Sequence, residues 1–307
     1  MNRKNEVLDM LKTGGVTSFD DLAFIEANLS NDDNWDEAVK GCQYVLHVAS
    51  PFYSKMPKDE NEMIRPAVEG TLRVLKAARN AGVKRVVLTS NFGAVGYSHK
   101  DPSTIITEEE WTDPNEKMSA YNKSKVLAER AAWEFMQTEG GDLELSVINP
   151  VFILGPALGP DASSSFDVLT HLMDGSMKAV PNIPLTIVDV RDVADLHIRA
   201  MTNPNAKGQR FIAMAGGKIS LPEIAALLKE KVPGAAKKVS TKTLPNWVVY
   251  LAALFNKQAR LVAPLLRISR NISNAKARKV FGWTPVANNE EAILAAVQSI
   301  VKFGVIK

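Results

Sequence analysis

Short hydrophobic runs and longer amphipathic segments alternate along the chain. The short runs are rich in Val, Ile and Leu without clean alternation with polar residues, which predicts strands buried on both faces. They span residues 22–27, 44–49, 85–89, 143–148, 185–190 and 210–214. The longer segments carry hydrophobic residues at helical spacing and therefore predict helices. They span about 33–40, 60–81, 120–137, 192–201, 221–231, 247–255 and 290–303.

This order of elements predicts the α/β class, a parallel sheet flanked by helices. The pattern changes after Pro150. Residues 154–165 are rich in Gly, Pro and Ser, which is typical of a loop, and the chain beyond them is mainly helical. We therefore expect a sheet-containing domain in residues 1–150 and a smaller, mainly helical part in residues 151–307. The strand at 210–214 is expected to return to the sheet.

Composition and charge exclude several classes of protein. The 307 residues are 46% hydrophobic and 23% charged, which is an ordinary globular composition. A net charge of +3 is too balanced to favour a nucleic acid or a membrane surface as a partner. The single cysteine, Cys42, excludes an intramolecular disulfide and favours a reducing compartment. No signal peptide is visible, and the hydrophobic stretch 248–255 is too short to span a bilayer, so we expect a cytoplasmic protein.

Tyr121 and Lys125 are the first candidates for chemistry. They lie four residues apart in a predicted helix, so their side chains share one face. A phenol with a pKa near ~10 is a poor proton donor and acceptor at neutral pH, but a neighbouring ammonium stabilises the phenolate and lowers that pKa. Such a pair can pass a proton to a carbonyl oxygen. The spacing alone is weak evidence, because many helices contain it by chance.

The residues around this pair resemble the active-site helix of the extended short-chain dehydrogenase/reductases. That stretch reads Tyr121-Asn122-Lys123-Ser124-Lys125-Val126-Leu127-Ala128-Glu129. The Ala-Ala-Trp at 131–133 resembles the branch that contains dihydroflavonol reductase, cinnamoyl-CoA reductase and microbial aldehyde and ketone reductases. Five further landmarks of the family follow in the family's order. They are His47-Val48-Ala49-Ser50-Pro51, Arg85-Val86-Val87-Leu88-Thr89-Ser90, Asn149-Pro150 with Leu154-Gly155-Pro156, Val188-Asp189-Val190-Arg191-Asp192-Val193-Ala194, and Lys276-Ala277-Arg278 with Phe281-Gly282-Trp283-Thr284-Pro285.

The resemblance implies a Rossmann-type fold and a nicotinamide-dependent oxidoreductase. Residues 1–150 would bind the dinucleotide, and residues 151–307 would bind a small ketone or aldehyde. Tyr121 would protonate the carbonyl oxygen, while Lys125 would activate the tyrosine and hold the ribose hydroxyls. NADPH is the expected cofactor, NADH remains possible, and no metal is expected because the four histidines show no ligand spacing. The protein would act as a monomer or a homodimer.

The third catalytic residue of the family is a serine after its fifth strand. Family members commonly read Thr-Ser-Ser there, and the second serine polarises the substrate carbonyl. This chain reads Thr89-Ser90-Asn91. A strict match therefore assigns the role to Asn91, whose amide could donate the same hydrogen bond. Ser90 is the alternative, and both are kept as catalytic candidates.

Two strand ends are implied to lie along the cofactor. The first contributes Val48, Ala49 and Ser50, and the second contributes Pro150 and Ile153, near the nicotinamide.

The N-terminal segment supplies three more cofactor candidates. Asn28 stands where the family often has an acidic residue near the adenine. Arg3 and Lys4 lie close to the position that distinguishes NADP from NAD, and a basic residue there could pair with the 2′-phosphate. A solvated start of a helix explains these two residues equally well.

A glycine-rich turn of the form G-x-x-G-x-x-G is not found in the sequence, and Gly14-Gly15 is typical of a loop. By alignment of landmarks, Met1 falls just after the family's second strand, so a first β-α-β unit is expected to be absent. Either the start codon is misassigned or the chain is a real fragment with poor activity. Two alternative functions stay open: an epimerase, dehydratase or hydroxysteroid dehydrogenase on the same fold, and a truncated protein without catalysis that binds a partner.

Overall fold

The computed structural model describes residues 3–51, 57, 59–160 and 163–306. Its strands, in chain order, are β1 (Tyr44–His47), β2 (Arg85–Thr89), β3 (Glu144–Pro150), β4 (Phe152–Leu154), β5 (Val180–Pro181), β6 (Pro184–Leu185), β7 (Ile187–Asp189), β8 (Gln209–Ala213), β9 (Ile219–Ser220) and β10 (Thr243–Leu244). A parallel sheet in the order β1-β2-β3-β8 forms the centre. The short strands pair separately, as β4 with β7, β5 with β10 and β6 with β9.

Helices surround this sheet. In chain order they are α1 (Lys4–Thr13), α2 (Trp35–Val39), α3 (Asn61–Asn80), α4 (Gly93–Gly96), α5 (Ala120–Thr138), α6 (Phe166–Met173), α7 (Val190–Thr202), α8 (Leu221–Lys231), α9 (Asn246–Ala252), α10 (Lys257–Val262), α11 (Ala275–Phe281) and α12 (Asn289–Lys302). Two 3₁₀ turns lie at Pro204–Ala206 and Ala263–Leu266. Within the described ranges, no helix is both long enough and apolar enough to cross a membrane. The predicted α/β class is confirmed.

The two faces of the sheet explain why its strands lack polar alternation. Successive strand residues point to opposite faces. Val86 of β2 packs in a cluster with residues of α3 and α5, including Leu75 and Phe135. The next residue, Val87, packs on the other face with residues of α7 and α11, including Leu196. Both faces are covered, so the three central positions of the strand, Val86, Val87 and Leu88, are all apolar.

Residues 22–27 are not a strand, contrary to prediction. Leu22 and Ile25 are 41% and 40% exposed, and the segment pairs with no strand of the described chain. A hydrophobic run becomes a strand only where a neighbouring backbone satisfies its N–H and C=O groups. The segment is followed instead by a loop that rests on α3. There Arg73 donates to the Leu29 carbonyl oxygen at 2.9 Å.

The C-terminal part has its own core. Side chains of α6, α8 and α12 meet there with β5 and β7, and the cluster includes Leu172, Leu228 and Ile293. The predicted 185–190 strand is shorter than expected, because α7 begins directly at Val190. The Asp189 side chain caps that helix by accepting from the Arg191 backbone nitrogen at 2.9 Å.

Candidate active site

Helix α5 carries the predicted catalytic pair. Its first turn is capped by the Ser119 side chain, which accepts a hydrogen bond from the Asn122 backbone nitrogen at 3.2 Å. Tyr121 lies in this first turn, and Lys125 lies one turn later on the same face. Because α5 packs beside the sheet, Lys125 reaches the carboxyl end of β2. There its Nζ donates to the Thr89 carbonyl oxygen at 3.1 Å.

Burial controls the charge of Lys125 and of its neighbour His47. Lys125 is 7% exposed, and burial lowers its pKa to about 8, against the opposing effect of the Glu129 carboxylate. Burial first, and then the Lys125 ammonium, lower the pKa of His47, at the end of β1, to about 4. At neutral pH the lysine is therefore mostly charged and the histidine is neutral.

The Tyr121 phenol is shifted in the direction opposite to the prediction. Burial raises its pKa above the ordinary value, with a smaller contribution from Tyr97. Both causes raise the pKa and Lys125 adds no resolved lowering, so the expected lowering is wrong for this arrangement. The phenol consequently keeps its proton at neutral pH, as a proton donor must.

Ser90 and Asn91 point in different directions. Ser90 is 5% exposed, and its Oγ is buried with no hydrogen-bond partner among the described residues. Asn91 is half-buried, and its Nδ2 donates to Asn122 Oδ1 of α5 at 3.3 Å. Asn122 adjoins Tyr121 in the chain. The structure therefore brings Asn91 to the first turn of α5, whereas Ser90 points into the protein.

Gly93 permits this contact between Asn91 and Asn122. A Cβ atom at Gly93 would lie 2.9 Å from Asn91 Oδ1 and 3.0 Å from Asn122 Oδ1. Both distances are shorter than carbon and oxygen atoms tolerate without a shift. The glycine is thus required by a close approach of side chains.

The carboxyl ends of the four parallel strands β1, β2, β3 and β8 lie at one edge of the sheet. Val48, Ala49 and Ser50 follow β1 there, and Val48 is 58% exposed. Pro150 ends β3, and its carbonyl oxygen accepts from the Phe92 backbone nitrogen at 2.9 Å. Ligands of open α/β sheets bind outside such carboxyl ends.

Ile153 lies beyond this edge. It belongs to the short strand β4, where it pairs with Val188 of β7.

The candidates of the N-terminal segment make local contacts. Arg3 pairs with Glu6 through two hydrogen bonds of 2.6 and 2.8 Å, and the Lys4 ammonium lies 5.1 Å from the centre of the Phe24 ring. Asn28 Oδ1 accepts from the Ser30 backbone nitrogen at 2.9 Å. These contacts show the side chains engaged within the segment itself. Their assignment to the cofactor remains a prediction.

A cleft of about 740 Å³ opens beside the start of α5. Its walls include Asn122 and Tyr97 near the catalytic pair, and residues of α9, α10 and the following 3₁₀ turn on the opposite side. Phe166 and Leu169 lie away from this cleft, in the core of the C-terminal part. Tyr97 was missed by sequence reasoning because no spacing motif marks it.

Comparison with known proteins identifies the family. Residues 1–213 match the 3-beta hydroxysteroid dehydrogenase/isomerase family. The chain belongs to this family. It is a family of extended short-chain dehydrogenase/reductases, so the resemblance found in the sequence is confirmed.

Proteins similar to this chain include reductases of plants and yeast. Cinnamoyl-CoA reductase of Medicago truncatula is 36% identical over 218 residues, which cover 69% of this chain and 65% of that protein. Anthocyanidin reductase of Vitis vinifera is 34% identical over 229 residues, 69% of this chain and 67% of that protein. The crystal structure of yeast methylglyoxal/isovaleraldehyde reductase, complexed with NADPH, has a TM-score of 0.73 and 27% identity, and covers 91% of this chain and 83% of that one.

The carboxyl edge offers both polar and apolar groups to the nicotinamide-ribose half of a dinucleotide, and the assignment of these residues to the cofactor remains a prediction. The Lys125 ammonium and the Thr89 carbonyl oxygen offer a donor and an acceptor to sugar hydroxyls. The exposed Val48 offers apolar surface at the end of β1. The described residues include no glycine-rich turn at this edge.

Proposed function

We propose that this chain reduces a ketone or aldehyde to an alcohol with NADPH. The observation that carries the proposal is the buried Lys125, held on the Thr89 carbonyl oxygen one helical turn from Tyr121. Three similar proteins support the proposal, because they are named as a cinnamoyl-CoA reductase, an anthocyanidin reductase and a methylglyoxal/isovaleraldehyde reductase. The chain spans 65% of the Medicago protein's length, so its activity is a proposal. NADPH is favoured over NADH because the yeast reductase is complexed with it.

When bound, the reduced nicotinamide supplies a hydride to the carbonyl carbon of the substrate. The Tyr121 hydroxyl donates its proton to the carbonyl oxygen, and its raised pKa keeps that proton available at neutral pH. Lys125 holds sugar hydroxyls and stabilises the phenolate that remains. The Asn91 amide, rather than the enclosed Ser90 hydroxyl, donates the second hydrogen bond to the carbonyl oxygen.

Replacing Tyr121 by Phe tests the assignment. We expect Tyr121→Phe to abolish carbonyl reduction, because the only change is loss of the hydroxyl that carries the proton. NADPH binding, measured by the change in cofactor fluorescence, should survive. Tyr44→Phe is the matched control, since Tyr44 lies at the amino end of β1, at the far end of the sheet from the pair. Substantial turnover in Tyr121→Phe would remove the tyrosine from the mechanism.

The family match favours one second candidate, oxidation of a hydroxysteroid. The same pair would then act in reverse, with the tyrosine accepting the proton of the alcohol. Assays of hydroxysteroids with NADP⁺ and NAD⁺, beside small aldehydes with NADPH, separate the two candidates by their ratios of kcat/KM.

The proposal places the protein in the cytoplasm as a monomer or homodimer. The single cysteine suits a reducing compartment, because it cannot form an intramolecular disulfide. Sedimentation of the purified chain determines its oligomeric state.

A further inference from the structure

A second buried charge lies one helical turn beyond Lys125. Glu129 is fully buried, and its Oε1 accepts from Arg210 Nε at 2.6 Å and from Trp133 Nε1 at 3.3 Å. Its Oε2 accepts from Asn149 Nδ2 at 2.8 Å. The donors come from α5, β3 and β8, so the carboxylate joins the active-site helix to the sheet.

Arg210 is fixed as firmly as its partner. Its Nη1 donates to the carbonyl oxygens of Glu108 and Glu110 at 3.0 and 2.9 Å. Its guanidinium lies 3.7 Å from the centre of the Trp111 ring. Taking two charges out of water is costly, and a buried ion pair is weak evidence for stability. Because stability alone does not explain this buried pair, we ask what Glu129 contributes to the active site.

The surroundings of Lys125 indicate what that contribution is. His47 faces it from β1, the Thr89 carbonyl from β2, and Tyr121 and Glu129 from its own helix. On the solvent side of α5, Lys123 pairs with Glu60, the residue that precedes α3. His47 and Tyr121 are uncharged at neutral pH, so Glu129 supplies the negative charge near the buried ammonium.

We propose that Glu129 is a positioning residue that fixes α5 to the sheet and places a buried carboxylate one helical turn from Lys125, where it keeps the ammonium charged. Glu129 reaches neither substrate nor cofactor, because it is enclosed between α5 and the sheet. It acts through the lysine. Arg210 holds the carboxylate in place. The link to turnover, but not the link to the charge of Lys125, rests on the proposed function.

Direct titration of Lys125 tests the proposal without any catalysis. The protein is labelled with ¹³C at lysine Cε, and the Lys125 signal is identified by its loss in Lys125→Arg. Wild type should titrate with a pKa of about 8. Glu129→Gln keeps the shape of the side chain and should lower that pKa by roughly one unit, as loss of a nearby opposite charge does. Glu134→Gln, an exposed acid on the same helix, should leave it unchanged.

Two further variants separate charge from structure. Arg210→Met breaks the same ion pair but keeps the Glu129 carboxylate, so it should not lower the pKa of Lys125. A purely structural role predicts that Arg210→Met and Glu129→Gln change the titration alike. The double variant Glu129→Gln/Arg210→Met leaves no unpaired buried charge, and it provides a folded protein if Glu129→Gln alone does not fold. It should still lower the pKa. An unchanged Lys125 titration in the folded Glu129 variants would overturn the proposal.

Activity then separates this proposal from the proposed function. If Lys125 must be charged for reduction, the loss of kcat/KM at high pH should begin roughly one pH unit lower in Glu129→Gln. A shifted titration with an unshifted activity profile would support the role of Glu129 and contradict the role of Lys125 in turnover.

Discussion

Replacing Gly93 by Ala should separate activity from stability, because the added methyl group enters the contact between Asn91 and Asn122. It would lie 2.9 and 3.0 Å from the two Oδ1 atoms. These atoms must move apart by a few tenths of an ångström, which breaks a side-chain hydrogen bond that is already 3.3 Å long. The amide of Asn91 then leaves the position from which we propose that it polarises the carbonyl.

The expected magnitudes follow from these contacts. Loss of the Asn91–Asn122 hydrogen bond costs about 1 kcal/mol of unfolding free energy. Gly93 lies in α4 without a positive φ, so alanine regains about 0.5–1 kcal/mol by restricting the unfolded chain. The free energy of unfolding should therefore change by less than about 1 kcal/mol. Loss of one hydrogen-bond donor to the reacting oxygen should lower kcat roughly 100-fold.

Urea unfolding and steady-state reduction of an aldehyde with NADPH measure the two quantities in parallel. Gly234→Ala is the matched control, since a Cβ there meets nothing within 4 Å. It should leave both stability and activity unchanged. If Gly93→Ala reduces the substrate as fast as wild type, Asn91 does not polarise the carbonyl from this position.

The other predictions concern the neighbours of the pair. Ser90→Ala should retain activity and stability, because the Ser90 Oγ is buried without a hydrogen-bond partner among the described residues. Asn91→Ala should lose activity about 100-fold. If Ser90→Ala has the lower kcat instead, Ser90 is the residue that polarises the carbonyl. His47 is protonated more readily in the unfolded chain, since its pKa falls from 6.5 to about 4 on folding. Its burial therefore destabilises the fold as pH drops from 6.5 towards 4. Wild type should lose unfolding free energy between pH 7 and 5, and His47→Gln should reduce that loss by about 2 kcal/mol. Urea unfolding at both pH values measures the loss. An identical loss in both proteins would contradict a buried neutral histidine.

The central strands could be predicted from sequence because burial on two faces requires a continuous run of apolar residues. Val86 and Val87 contact different layers, so the central residues of the run are all apolar. Residues 22–27 form a similar hydrophobic run but are not a strand. Apolar residues record burial, whereas a strand also needs a partner backbone, and the partner is set by distant parts of the chain.

Some features of the candidate site could likewise be predicted from the sequence, and others could not. The four-residue spacing of Tyr121 and Lys125 is enough to place both on one face of a helix. The directions of Ser90 and Asn91 depend on where β2 ends and how the chain turns, which the residue types do not specify. Glu129 and Arg210 are 81 positions apart. No local pattern connects them, and it is the fold that brings α5 and β8 close enough for these two side chains to pair.

The charge states at the site have a consequence for any pH profile of the reaction. Tyr121 has a raised pKa, so its phenol remains protonated through the neutral range. Lys125, with a pKa of about 8, is the member of the pair that titrates there. A decline in carbonyl reduction near pH 8 would therefore report loss of the lysine's charge rather than ionisation of the tyrosine. Because Glu129 raises the lysine pKa and burial lowers it, the pH at which the decline begins is set by a residue that never touches the substrate.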